Sequence, residues 1–177
     1  MTAVALIPLL FLVQAAAPAV APRAAKPAAA PASAPAGPVY ALALSDSNRA
    51  ILVNLSTVKM RGAAKTFSVI QVYPGLKSYD QNQTNFDYEV VSQVIKCGVE
   101  TQTILKAVQF ALPDGAQVSE SKVSEFGDPI VLDTYPWKLM QFVCGEKLTE
   151  KTRQLPAKDD LDVARRVRAA YPNLIGY

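Results

Sequence analysis

The chain has 177 residues, room for one ordinary domain, and is 50% hydrophobic and 19% charged. It contains no histidine, which excludes Ser-His-Asp and Cys-His nucleophile activation, imidazole-based zinc spheres and the commonest general base near neutral pH. The net charge of +3 is uneven, with +2 over 18–38, +3 over 147–177 and −2 over 39–146, and an acidic middle is a poor surface for nucleic acid, which needs clustered cations.

Val4 to Val13 is an uncharged apolar run, too short to span a bilayer as a helix but suited to the core of a signal peptide. Ala15, Ala16 and Ala17 follow, so residues 1–17 read as an export signal. The expected location is the periplasm or the exterior, with no transmembrane segment once the signal is removed. The region holds no cysteine to lipidate, so attachment to a surface is less expected than a periplasmic or secreted location. Residues 18–38 carry prolines at 18, 22, 27, 31, 35 and 38 among alanines. Each proline removes a backbone donor and turns its predecessor away from helix, which makes this a Pro/Ala-rich disordered tether.

From Val39 the texture is that of strands. Tyr40–Leu44 alternates weakly, and Ala50–Leu55 with Thr57–Met60 reads as strand up to a turn at Arg61-Gly62. Thr66–Tyr73 is β-branched and aromatic and closes at Pro74-Gly75. A polar loop over Lys77–Asn85 precedes a strand over Phe86–Ile95. Thr103–Leu112 and Ala116–Glu125 then form a hairpin across Pro113-Asp114-Gly115. A helix follows, with Asp133 or Thr134 at its cap, Pro136 in its first turn, Trp137, Met140 and Cys144 on one face, and Gly145 at its end. A second helix spans about 157–170. Aspartates at its start and arginines at its end complement its dipole, and Val163, Val167, Ala170 and Leu174 form its apolar stripe. The fold class expected is α+β: a small antiparallel sheet with a helix packed on one face, plus an additional C-terminal helix. The domain proper is 39–146, with 147–177 as a helical extension.

Cys97 and Cys144 are the only cysteines, and an even count in an exported chain favours one disulfide over a redox pair. Asp159, Asp160 and Asp162 lack the alternation and closing glutamate of a calcium loop, so neither metal nor cofactor is expected. No spacing marks a catalytic residue. One basic contact surface is a candidate, formed by Arg165, Arg166 and Arg168 with Lys147, Lys151 and Arg153. Its partner would be an unknown protein or an anionic surface ligand.

The order of the opening Tyr40–Leu44 strand, the Ile51–Gly62 stretch, the Thr66–Tyr73 strand, Cys97 on a strand and the closing Pro136–Cys144 helix resembles the surface-adhesin protein E-like family over roughly 39–146. The resemblance implies a small antiparallel sheet with a helix against it, a Cys–Cys bridge, no enzymatic activity, and binding of host matrix or serum proteins. The expectation is an exported, non-catalytic binding domain. The alternative is an inhibitor or accessory subunit of a periplasmic enzyme or envelope complex.

Overall fold

The computed structural model describes residues 37–78, 85–121, 127–145 and 154–174. The expected signal, nearly all of the tether, and Lys147, Lys151 and Arg153 lie outside them. Eight strands form one antiparallel sheet: β1 (Val39–Ser45), β2 (Ala50–Arg61), β3 (Ala64–Ser78), β4 (Asn85–Lys96), β5 (Thr101–Phe110), β6 (Gln117–Ser121), β7 (Asp128–Pro129) and β8 (Gln154–Pro156). Their spatial order is β6-β5-β4-β3-β2-β1-β8, and β7 pairs with the start of β5. Among the described residues there are also two short α-helices, α1 (Tyr135–Cys144) and α2 (Asp160–Ala170), and a 3-10 turn at Tyr171–Asn173 follows α2.

This corrects the expected fold class. The molecule is a mostly-β protein built on a large sheet, not a small α+β sheet with a helix on one face. The helices cover opposite faces. Ile51, Val53, Phe67 and Val69 pack with Leu139, Met140 and Val143 of α1. Ala50, Leu52, Ile70 and Val72 pack with Val163, Ala164 and Val167 of α2. Both sets come from the same strands, so β2 and β3 are buried on two sides. Such strands show continuous apolar runs instead of alternation, so Ala50–Val53 carries the mark of a strand covered on both faces, while the covering helices lie far along the chain.

Strand lengths differ from expectation for a related reason. β3 continues past Pro74-Gly75 to Ser78, and its pairing with β4 shifts between Val72 and Lys77. Pro74, which has no N–H for the ladder, is accommodated where that register is interrupted. Lys77, Ser78 and Asn85 are therefore strand residues, not loop. The Pro113-Asp114-Gly115 hairpin is as expected: Gly115 has φ +76° and donates its N–H to Ala111 O, and Phe110 pairs with Gln117. A Cβ at Gly115 would also come within 3.0 Å of the Leu161 side chain, so α2 closes over this turn.

α1 starts with Thr134 at its cap position and Pro136 in its first turn. The Thr134 hydroxyl donates back to Val131 O and caps no helix N–H. At the other end Lys65 Nζ donates to Val143 O at 2.7 Å, placing a cation where helix carbonyls are otherwise unsatisfied. Cys97, just beyond β4, and Cys144, the last residue of α1, form a disulfide with Cα atoms 5.8 Å apart. α2 is capped by Asp159, whose carboxylate accepts from Asp162 N at 2.8 Å. Its stripe docks on the sheet of its own chain, with Val163 and Val167 buried.

Candidate functional site

Alternation along each strand puts Gln71 of β3, Glu89 of β4 and Gln109 of β5 on the α1 face. The register sets them side by side, Gln71 opposite Glu89, Glu89 opposite Gln109, and Gln109 opposite Ser119 of β6. A polar row thus crosses a face that is apolar further along. Gln71, Glu89 and Gln109 are all buried, and Glu89 is only 4% exposed. A carboxylate that deep is costly unless its oxygens are satisfied. Tyr73 donates its hydroxyl to Glu89 Oε1 at 2.8 Å and Gln109 donates Nε2 to Oε2 at 3.3 Å. Ser119 then donates its hydroxyl to Gln109 Oε1.

Arg49, just before β2, donates Nη1 to Gln71 Oε1 at 3.0 Å. Its guanidinium carbon lies 5.2 Å from the centre of the Tyr135 ring and 5.9 Å from that of Tyr73. Cation–π contact on two rings holds its orientation. Gln102 of β5 donates to Gln93 Oε1 of β4. Gln93 is 1% exposed and its Nε2 has no acceptor among the described residues.

Several of these side chains line a cavity of about 320 Å³, where Arg49, Gln71, Glu89, Gln102, Gln109 and Ser121 meet the apolar Val91, Ile104, Ala107 and Pro136, with Tyr135 beside them. A second cavity of about 340 Å³ lies on the opposite face, between α2 and β8, and is mainly lined by leucine, valine and alanine. The polar cavity combines a few convergent hydrogen-bonding groups with apolar walls, the composition of a small-ligand site. Among the described residues its lining holds one carboxylate, Glu89, and no second one to pair with it as general acid–base hydrolysis requires.

Among the described candidate basic residues, Arg165, Arg166 and Arg168, none lines the polar cavity. Arg165 donates through Nε and Nη2 to Pro113 O, and Arg166 donates to Pro156 O at 2.7 Å. Arg168 donates to Tyr73 O at 2.6 Å and pairs with Asp87 at 3.1 Å. All three hold backbone carbonyls of neighbouring segments. The acidic trio is equally committed: Asp159 caps α2, Asp160 accepts from the Tyr40 hydroxyl, and Asp162 accepts from Lys158 N. No cluster of metal-ligating side chains occurs among the described residues.

The pocket residues had no motif to announce them. Their one sequence signal is a polar residue inside an apolar strand, repeated in three successive strands at positions that the hairpin registers bring level.

The fold and site define a sheet domain with a polar pocket beside its first helix. No family model matches the chain, and no curated protein matches it. Among solved structures the chain has a weak likeness to protein E from non-typeable Haemophilus influenzae, at 14% identity and a TM-score of 0.44, covering 82% of this chain and 95% of that one.

Proposed function

We propose that this is an exported, non-catalytic binding domain whose ligand site is the polar pocket on the α1 face. The observation that carries the reading is the buried row Gln71–Glu89–Gln109. Three polar side chains in the middle of a sheet face stabilise nothing that valine would not stabilise better, since each must first offset its own desolvation. Placing them around a cavity gives them a use. The disulfide supports an oxidising compartment, and among the described residues no helix is long and apolar enough to cross a membrane.

The test is crosslinked capture from the native envelope with the folded domain as bait, comparing the wild type with Ser121→Trp. Ser121 is exposed at the end of β6 and lines the pocket mouth, so the indole fills the pocket without entering the core. The expected result is material captured by the wild type and lost with Ser121→Trp. Capture that is indifferent to the substitution overturns the pocket as the site.

A further inference from the structure

The pocket's open hydrogen-bonding groups define what it can hold. Glu89 is not one of them, because Tyr73 and Gln109 already donate to its two oxygens. The groups turned to the cavity are those with capacity to spare. Gln71 has its Oε1 taken by Arg49, and its Nε2 has no acceptor among the described residues. Gln102 is the reverse: its Nε2 is given to Gln93, and its Oε1 accepts nothing among the described residues. The Ser121 hydroxyl can do either, and Arg49 keeps further N–H donors. The open groups thus include both donors and acceptors, and among the described residues the lining carries one guanidinium and one carboxylate.

We propose that the pocket binds a neutral, hydroxyl-rich ligand, a sugar unit of a glycan, with Gln71, Gln102, Ser121 and Arg49 as its contacts. This rests on the pocket being the ligand site. Each sugar hydroxyl donates and accepts through one oxygen, so it satisfies a mixed set of donors and acceptors that a pure acceptor or a pure donor leaves half unmet. An anion would meet the Glu89 carboxylate behind the amides, and a cation would meet Arg49. An apolar ligand would strand the amides without water or partner. Pro136, with Val91, Ile104 and Ala107, adds apolar lining for the C–H face of a pyranose ring. A cavity of about 320 Å³ lies at the small end of ligand sites, which suits a mono- or disaccharide unit rather than a long chain held end to end.

The test uses ¹⁵N-labelled protein and follows the side-chain amides of Gln71 and Gln102 by NMR. Glucose, galactose, N-acetylglucosamine and maltose are titrated, with glutamate and inorganic phosphate as charged comparators. At least one sugar is expected to shift both amides saturably, and Ser121→Trp to weaken that binding about tenfold or more while leaving distant resonances in place. The charged comparators are expected to move neither amide. Shifts produced by glutamate or phosphate in place of the sugars overturn the ligand class and leave the pocket as a site. No shift with any probe overturns the sugar assignment, and if envelope capture also ignores Ser121→Trp, the pocket falls with it.

Discussion

Two kinds of buried residue behave differently in this protein. Val167 is 4% exposed, inside the α2 layer. Val167→Asp puts a carboxylate among leucine and valine side chains and is expected to destabilise the whole domain by a few kcal/mol, read as a lower denaturant midpoint. A normal midpoint would mean that α2 is not docked on the sheet. The buried tyrosines carry a pH signature. Burial first, and then Asp160 and Asp159, push the Tyr88 hydroxyl up to about 12. Tyr40 is raised too, by burial first and then by its hydrogen bond to Asp160. In the unfolded chain a tyrosine titrates near 10. The folded state keeps protons that the unfolded chain gives up, so this stability is complete below about pH 10 and drains away as pH rises towards about 12. Urea midpoints at about pH 9 and about pH 11 should differ sharply, and Tyr88→Phe should reduce the difference. An unchanged difference in that variant would place the alkaline sensitivity elsewhere.

Elements are tied down chiefly at their ends. The disulfide fastens the C-terminus of α1 to the end of β4 across a sequence separation of 47 residues. Closing a loop of that length restricts the unfolded chain by about 4 kcal/mol, so Cys97→Ala with Cys144→Ala should lower stability by up to that amount while leaving the sheet folded. Loss of strand signal at ordinary temperature would show that the bridge is required for folding. The α2 end is held by Arg168, which reaches Tyr73 O and Asp87, while Asp87 also accepts from Leu112 N at 2.7 Å. Arg168→Met keeps the packing stem and strands a buried carboxylate. It should cost about 2 kcal/mol, and Asp87→Asn in the same chain should restore part of the loss, because the uncompensated charge is gone. Both helices were legible because their signals are local: Pro136 and Gly145 bound one, and the aspartates and arginines mark the other. The strands over Thr66–Tyr73 and Phe86–Ile95 were legible from β-branched and aromatic content. β7 and β8 were not. Asp128-Pro129 and Gln154-Leu155-Pro156 have no strand composition and become strands only because β5 and β1 offer them an edge. The polar row was missed for the same reason. Gln71, Glu89 and Gln109 are unremarkable singly, and only pairing register shows that they meet.

At the scale of the whole molecule, the sheet is closed at one edge by late sequence. β1 is flanked by β2 on one side and by β8 on the other, with Val39 paired to Pro156 and Tyr40 to Leu155. Pro38 O accepts from Ala157 N at 3.0 Å, and a Cβ on Gly37 would stand 2.1 Å from Ala157 O. Residues 37 and 38 therefore touch the fold directly. A chain starting at Gly37 should keep its thermal midpoint to within about 2 °C of the full chain, and a larger drop would assign packing to earlier residues. A chain stopped after Gly145 loses β8 and α2 together. Tyr40, Leu52 and Ile70 would then lie bare on one face, and cooperative unfolding should disappear; a sharp transition would show that the remaining sheet stands alone.

That edge also orders events during synthesis. The strand made first has its second neighbour more than a hundred residues downstream, and the helix that covers its face comes later still. While the chain is emerging, β1 can pair with β2, but the layer above it has nothing to close it until α2 has left the ribosome. Completion of this layer is thus deferred until β8 and α2 have been made, more than a hundred residues after the strand they cover. Under the export proposed above, that delay keeps β1 and β2 open to threading through a narrow membrane channel, because the strand and helix that lock them arrive long after them.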